Sequence, residues 1–522
     1  MQSAKNYAYC IGIISLILVQ SQVGLISSQD YKPSGLDSPV TVNVKSFGAA
    51  GDGIIDDSAA IQKAIDSLSL TGGTVFLPAG TYRIGTGVLD NESGLYVSLQ
   101  IGSFVNLLGE GAGKSIMKVD PHVSSTSNRF LINNKPGDSN ISISRLTIDT
   151  ANTPLSNASG AGLSFVNATN IAIEDVEFKN IKREAIDLVS VSNFTIRNNV
   201  VYNIWTGISL IDCSDGDVVN NTITSTGGDG ILVQAEADGS CTDLHIKSNN
   251  IDRVNDTAVD IDTHTRRAYH ENIIVSGNII ENNLASAKSV GIRASHSSNV
   301  MISNNIIKDT SIGILLDTAP TAPPKMISVS GNIIDGFVDY GIIAAYDWAI
   351  LDGNSIDGTD GVVADRNNST VSGVSPVGQK VGVALRSDFL KIVNNHIENV
   401  DDGVRWIGDS IDCLIQGNII VSANRYGISD DPTEGFNIRS HEVSNNTIFD
   451  NRSPPKMIRG INFEGSSTDD MNIISNTISG FVSDPAINLI NRDNQLPFDT
   501  SDERFNEVER ELPSDNFAFP WE

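Results

Sequence analysis

The run VDIDTHTRRAYH, residues 259–270, brings two carboxylates, two imidazoles, two guanidinium groups and a phenol together. Read as a strand, it puts Asp260, Asp262 and His264 on one face, with Arg266, Arg267, Tyr269 and His270 following in a loop. Two carboxylates at i and i+2 stand about 6.6 Å apart along a strand. That falls inside the roughly 6.5–9.5 Å at which inverting glycosidases hold their acid and base. A second chemistry draws on the same residues. Acting on a uronate takes a cation for the carboxylate, a base for the acidified C5 proton and a donor for the leaving oxygen. Arg293, His264 and Tyr269 supply those types, with Asp260 or Asp262 helping to bind or neutralise the carboxylate. Elimination or C5 epimerisation is the leading expectation and hydrolysis by Asp260 and Asp262 the alternative; a surface that only holds glycans is the third. Asp187, Gln234, Arg266, Arg267 and His296 are the expected substrate contacts. Asp260 and Asp262 are also of the type that holds Ca²⁺ between an acidic protein and an acidic polymer. No other metal is expected, since no Cys or His spacing suggests zinc and no GGxGxD repeat occurs.

These residues need a scaffold that aligns strands distant in sequence, and a repeat supplies one. From residue 162 onward the chain restarts about every 20 to 33 residues with a small residue, an aliphatic, any residue and another aliphatic. Starts fall at Gly162, Ala185, Gly207, Gly230, Ala258, Gly291, Gly313, Gly341, Gly361, Gly382, Gly403, Gly427 and Gly460. Within each unit a second strand pattern ends in Asn or Gly, Asn, any residue and Ile, as at Asn249-Asn250-Ile251, Gly277-Asn278-Ile279 and Asn304-Asn305-Ile306, with the register varying by a residue between units. Period-two alternation without a helical stretch makes each unit one coil of an all-β, right-handed parallel β-helix. Coils stacked about 4.8 Å apart pair every strand with those above and below. Outward residues then form a ladder: Asp187, Ser209, Leu232 with Gln234, Asp260 with Asp262, Arg293 with Ser295, and Leu315 with Asp317. Taken singly, such outward residues are plain solvated surface, as are Asp365, Arg386 and Arg405. Lengthened coils after Gly230 and Ala258 would raise walls beside the ladder.

Ahead of the coils, residues 42–84 read VNVKSFGAAGDGIIDDSAAIQKAIDSLSLTGGTVFLPAGTYRI. Asp57 or Ser58 can cap a helix with Ala60, Ile61, Ala64, Ile65 and Leu68 on one face, stopped by Gly72-Gly73. Such a helix can close the open end of the solenoid. This segment resembles the N-terminal signature of the pectate-lyase-like superfamily, which holds rhamnogalacturonases, polygalacturonase-like hydrolases and mannuronan C5-epimerases. The resemblance implies the β-helix and a carbohydrate substrate. Epimerases of that group carry Asp-Pro-His on an outward strand with Tyr and a further Asp nearby, and Asp260-Ile-Asp262-Thr-His264 is similar in composition. Of the polygalacturonase pattern only Gly228-Asp229-Gly230 and Ile292-Arg293 have counterparts here.

Charge narrows the partners. With 35 Lys and Arg against 63 Asp and Glu, the net charge of −28 leaves no basic face to neutralise a phosphate backbone, so nucleic acid is not an expected partner. A polysaccharide is. Lys5, the apolar stretch Ile11–Val23 and the small residues Ser27 and Ser28 read as a secretory signal over residues 1–28, with no membrane span in the mature chain. The expected order is then an N-terminal cap with the first coils over 39–160, β-helix repeats over 161–492 and an acidic tail over 493–522. The remaining Cys213, Cys241 and Cys413 form no disulfide framework and read as buried packing.

Overall fold

The structure is a computed structural model and describes residues 40–85, 88–89, 96–119, 129–150, 161–236, 238–263, 270–281, 289–317, 326–358, 379–430, 436–464, 467–469, 471–483, 486–489 and 507–509. From Thr41 onward these residues wind as a parallel β-helix. One coil shows the plan: Thr206–Ile211, Ser214–Val219 and Thr222–Thr226 run in succession, and Ile231–Ala235 then lies directly above the first of them. Three strand stacks result. Sheet one runs from Thr41–Asn43 to Asn472–Ile474, sheet two from Asp52–Asp56 to Glu507–Glu509, and sheet three from Val88–Leu89 to Ile487–Leu489. Among the described residues every pairing is parallel except Val88–Leu89 with Tyr96–Gln100. A short fourth sheet pairs Ser410–Ile411, Asn437–Arg439 and Ser467–Asp469.

Alternation decides which side chains go inside. Val105, Leu107 and Gly109 are buried while Asn106 and Leu108 are not, and the same rhythm recurs coil after coil. Inward Ile, Val, Leu and Phe form one continuous core from Val44 to Ala486. The small residue that opens each repeat is explained by closeness of the coils. A Cβ on Gly291 would lie 2.5 Å from the carbonyl oxygen of Gly313 and 2.6 Å from Ile307 Cγ2.

The corner between sheets one and two holds the buried Asn column that runs from Asn199 to Asn476. Asn305 is typical: its Nδ2 donates to Asn332 Oδ1 at 2.9 Å and to the Val275 carbonyl at 3.0 Å, and its Oδ1 accepts the Asn278 backbone N–H at 3.0 Å. The repeated dipeptide divides the labour. Its first residue, Asn198, Asn220, Ser248, Gly277 or Asn304, takes the left-handed backbone, and its second carries the buried amide.

Other expectations meet the structure as follows. The helix forms over Ser58–Asp66, with Ile61, Ala64 and Ile65 buried in the core. Asp57 stands at its N-cap but makes no side-chain cap. Its carboxylate accepts the N–H groups of Ala50 at 2.6 Å and Gly51 at 3.1 Å, so it fixes the preceding turn. Gly361 lies outside the described residues. Strand Val381–Leu385 pairs directly with Tyr340–Ala345. In the acidic tail, Glu507–Glu509 adds a strand to Thr477–Ser479 at the end of sheet two. Cys213, Cys241 and Cys413 are free and buried, as expected. Among the described residues no helix is long and apolar enough to cross a membrane. Residues 1–28 lie outside the described residues.

The Asn column generates a test. Asn305→Ala strands the Asn278 N–H and the Val275 carbonyl in the interior and should lower stability by about 1–3 kcal/mol. Asn304→Gly, at the left-handed position beside it (φ 55°), should change the urea midpoint far less.

Candidate functional site

Sheet three sets the register of its outward face. Ser164, Asp187, Ser209, Leu232, Asp260, Arg293 and Leu315 stand in one column of directly paired residues, and Gln234 pairs with Asp262. Asp260 and Arg293 are 33 residues apart in sequence yet neighbours across one rung. The structure brings Asp260, Asp262, Arg293 and His296 together. Arg293 Nη2 sits 2.8 Å from Asp262 Oδ2 and its Nη1 3.7 Å from Asp260 Oδ2. His296 Nδ1 is 3.5 Å from Asp262 Oδ1, which also accepts from the Ser295 hydroxyl at 2.5 Å. Asp187 lies three rungs away, where it takes a 3.1 Å hydrogen bond from Ser164. His264, Arg266, Arg267 and Tyr269 lie outside the described residues.

The outward face is drier than a solvated ladder, which corrects the plain-surface expectation. Asp260 is only 8% exposed, and Ser209, Ile343, Ala384, Arg405 and Ser429 of the same face are more buried still. Beyond Arg293 the face turns apolar, with Val290, Ile312, Tyr340, Ile343, Val381 and Ala384 in a second buried cluster. Further along, Arg405 Nη1 donates to Gln379 Oε1 at 2.8 Å and stands 3.5 Å from Asp402 Oδ2, which is also paired with Arg425. Asp365 lies outside the described residues, and Arg386 is exposed.

Burial governs the ionisation of the acids. Desolvation pushes the Asp260 carboxyl up to about 8; Arg293 opposes the rise, and Asp229, Asp262 and Asp256 add to it. Asp187 and Asp229 are raised to about 6, again chiefly by burial. Several polar atoms here have no hydrogen-bond partner among the described residues: Asp260 Oδ1, Arg293 Nε and both ring nitrogens of His296. Buried polar atoms are almost always satisfied, which sets these four apart.

His270, expected in a loop, instead opens a strand and is fully buried. Its Nδ1 accepts the Cys241 N–H at 3.1 Å, which leaves Nε2 protonated to donate to the Asp262 carbonyl at 2.9 Å. Burial holds it neutral, with its pKa lowered to about 4. It fixes the backbone under Asp262 from the core side. Half of this arrangement recurs at His441, whose Nδ1 accepts the Cys413 N–H at 2.8 Å while its Nε2 faces the Ser410 hydroxyl at 3.1 Å. Sequence reading missed this role, though the similar separations, 29 residues for Cys241–His270 and 28 for Cys413–His441, were its signal.

Calcium does not fit between Asp260 and Asp262, because the Arg293 guanidinium already bridges them. Among the described residues no group of three or more His, Cys, Asp or Glu side chains is placed to hold a metal ion. A concavity of about 490 Å³ lies on sheet one over Ile274 and Met301, edged by Asp217 and His245. Its His245 and Asp217 side chains are well exposed and pair with each other at 3.0 Å, so it lacks the buried orphan groups of sheet three.

Residues 41–250 match the family model described as rhamnogalacturonase A/epimerase, pectate lyase-like, and residues 253–434 match that of the periplasmic copper-binding protein NosD. Mannuronan C5-epimerase AlgE2 of Azotobacter vinelandii is 32% identical over 199 residues, 35% of this chain and 19% of its own length. Alginate lyase 7 of the same organism is 31% identical over 195 residues, 36% of this chain and 22% of its own. The chain thus spans about a fifth of the length of these relatives. Among solved structures, the A-module of mannuronan C5-epimerase AlgE6 from A. vinelandii covers 90% of this chain and 100% of its own at 18% identity, with a TM-score of 0.38. The tailspike of E. coli bacteriophage HK620, solved with a pentasaccharide, covers 90% of this chain and 78% of its own at 15% identity and a TM-score of 0.48. The resemblance read from residues 42–84 therefore holds: over residues 41–250 this chain matches the pectate-lyase-like rhamnogalacturonase A/epimerase family, on a parallel β-helix whose described strands run from Thr41 to Glu509.

Proposed function

We propose that this protein acts on a uronate-containing polysaccharide at the Asp260, Asp262, Arg293 and His296 cluster, by removing the C5 proton of a sugar unit. The observation that carries this is a buried carboxyl that stays protonated at neutral pH beside an arginine, with an imidazole on the same face whose Nδ1 stands 3.5 Å from Asp262 and whose Nε2 has no hydrogen-bond partner among the described residues. Arg293 neutralises the substrate carboxylate and so acidifies C5–H. His296 takes that proton. In elimination the electron pair closes the C4–C5 double bond, the C4–O bond breaks, and the departing oxygen takes the proton of Asp260. In epimerisation the same intermediate is reprotonated from the opposite face, with no bond to oxygen broken. Asp262 and Ser295 hold the guanidinium and the imidazole in place. His264 and Tyr269, which lie outside the described residues, stay the sequence's own candidates for base and acid. Relatives named as C5-epimerases and as an alginate lyase support the reading, since both outcomes begin with loss of the same proton. The leader-like residues 1–28 fit export to polymers outside the cell.

Hydrolysis is the second reading, favoured by a protonated Asp260 two residues from Asp262 on one strand. One tube separates the two. Incubated with alginate, pectate or rhamnogalacturonan, the protein should raise unsaturated-uronate absorbance together with reducing ends, or incorporate deuterium at C5 from D₂O without cleavage. Reducing ends alone would establish hydrolysis, and the absence of all three signals would sink both. His296→Gln should lower kcat roughly 10²–10⁴-fold, the usual contribution of a positioned base.

Asp260 gives a second check. Its carboxyl is protonated when folded up to about pH 8 but ionises near 3.8 when unfolded. The folded state therefore binds the extra proton, and stability falls as pH rises from about 4 to 8. Asp260→Asn removes this penalty. Its thermal midpoint should gain on the parent steadily across that window and stay level above it, while turnover is lost at every pH. An offset between the two proteins that does not vary with pH would show that Asp260 is ionised throughout.

A further inference from the structure

Trp205 precedes strand Thr206–Ile211 and is 54% exposed, an unusual setting for the largest apolar side chain. Its seat is built. The ring lies across the consecutive glycines 227 and 228 of the next coil: a Cβ on Gly227 would come within 2.7 Å of Trp205 Cε3 and 3.1 Å of Cζ3, and one on Gly228 within 3.2 Å of Nε1. Backbone hydrogen bonds hold the two layers together, from Gly227 N–H to the Ile204 carbonyl at 2.8 Å and from Gly228 N–H to the Trp205 carbonyl at 2.7 Å. Backbone of the next coil therefore lies against the indole, which is still half exposed. The exposed Trp348 differs, because its ring is stacked on Phe389 at 4.3 Å.

The seat adjoins the acid cluster. Asp229 follows Gly228 directly, and its Oδ1 accepts the Thr257 N–H at 3.1 Å, tying it to the strand that carries Asp260 and Asp262. The coil of Trp205 is two rungs from that of Asp260, about 10 Å along the axis or roughly two pyranose units. A pyranose ring presents a face of C–H bonds with partial positive charge, which suits the negative face of an indole. An acidic polymer approaching this acidic protein gains from such a contact, which needs no charge of its own.

We infer that Trp205 is a sugar-stacking platform, the flanking subsite that takes the C–H face of a pyranose unit of an acidic polysaccharide whose reacting unit lies at Asp260 and Arg293. This rests on the polysaccharide reading above, and the test keeps the two apart. Full-length protein would be titrated with mannuronate and galacturonate hexamers by calorimetry, with indole emission followed in parallel. The parent should bind one of them with a change in emission. Trp205→Ala should raise Kd at least tenfold, whereas Trp205→Phe, which keeps a flat ring, should stay within a few fold. Gly227→Ala should weaken binding with every tryptophan still present, by lifting the ring off its seat, and Trp348→Ala should leave Kd unchanged. Binding by the parent together with an unaltered Kd in Trp205→Ala would overturn the platform and leave the polysaccharide reading standing. No binding and no turnover by the parent on either uronate would remove the reading itself, and the platform with it.

Discussion

The corner amides of the solenoid are the constraint on which the rest depends. A coil that bends between sheets one and two must bury backbone N–H and C=O groups with no helix or hairpin to satisfy them. The column from Asn199 to Asn476 meets this need, each amide spanning from the backbone below to the amide above. Because every link has the same length, the coils stack at one spacing and in one register. Only then do residues as distant in sequence as Asp260 and Arg293 face each other across a single hydrogen-bonded rung.

A fixed register also lets the protein hold charge where isolated strands would not. The outer face of sheet three is partly dehydrated, and a dehydrated carboxylate must be paired or protonated. Both solutions are present: Asp262 keeps Arg293 at 2.8 Å, and Asp260, farther from the guanidinium at 3.7 Å, retains its proton. Beneath them His270 locks the Asp262 carbonyl from the core side. Burial lowers its pKa from 6.5 to about 4, so the unfolded chain binds the extra proton and stability falls as pH drops through that interval. Its pH dependence opposes that of Asp260 between about 4 and 6.5, and the two partly offset each other across mildly acid conditions.

Much of this was legible in the sequence because each repeat states the rule again. The small residue, the two aliphatics and the Asn dipeptide appear in many coils, so the parallel β-helix and the outward parity of Asp260, Asp262 and Arg293 follow from spacing alone. Dehydration of the outer face was not legible. Ile343 and Ala384 occupy outward positions of their own strands, and nothing local separates them from solvated residues until neighbouring coils are stacked. The platform of Trp205 was hidden for a similar reason, since Gly227 and Gly228 serve a side chain of a different coil.

The outer face changes character along the axis while the core does not. Acidic rungs around Asp187, Asp229 and Asp260 give way to the apolar positions of Ile312, Tyr340 and Val381, and these to the arginines 405, 425 and 459. In a solenoid each coil contacts only its neighbours, so stability is close to a sum over coils, and outward residues can vary without disturbing the inward ones. That separation explains why the interior repeats so faithfully up to the last coil while chemistry gathers on a few rungs. In this chain the corner amides and inward aliphatics recur from coil to coil, whereas the dehydrated acid beside an arginine stands on the rungs of Asp260 and Arg293.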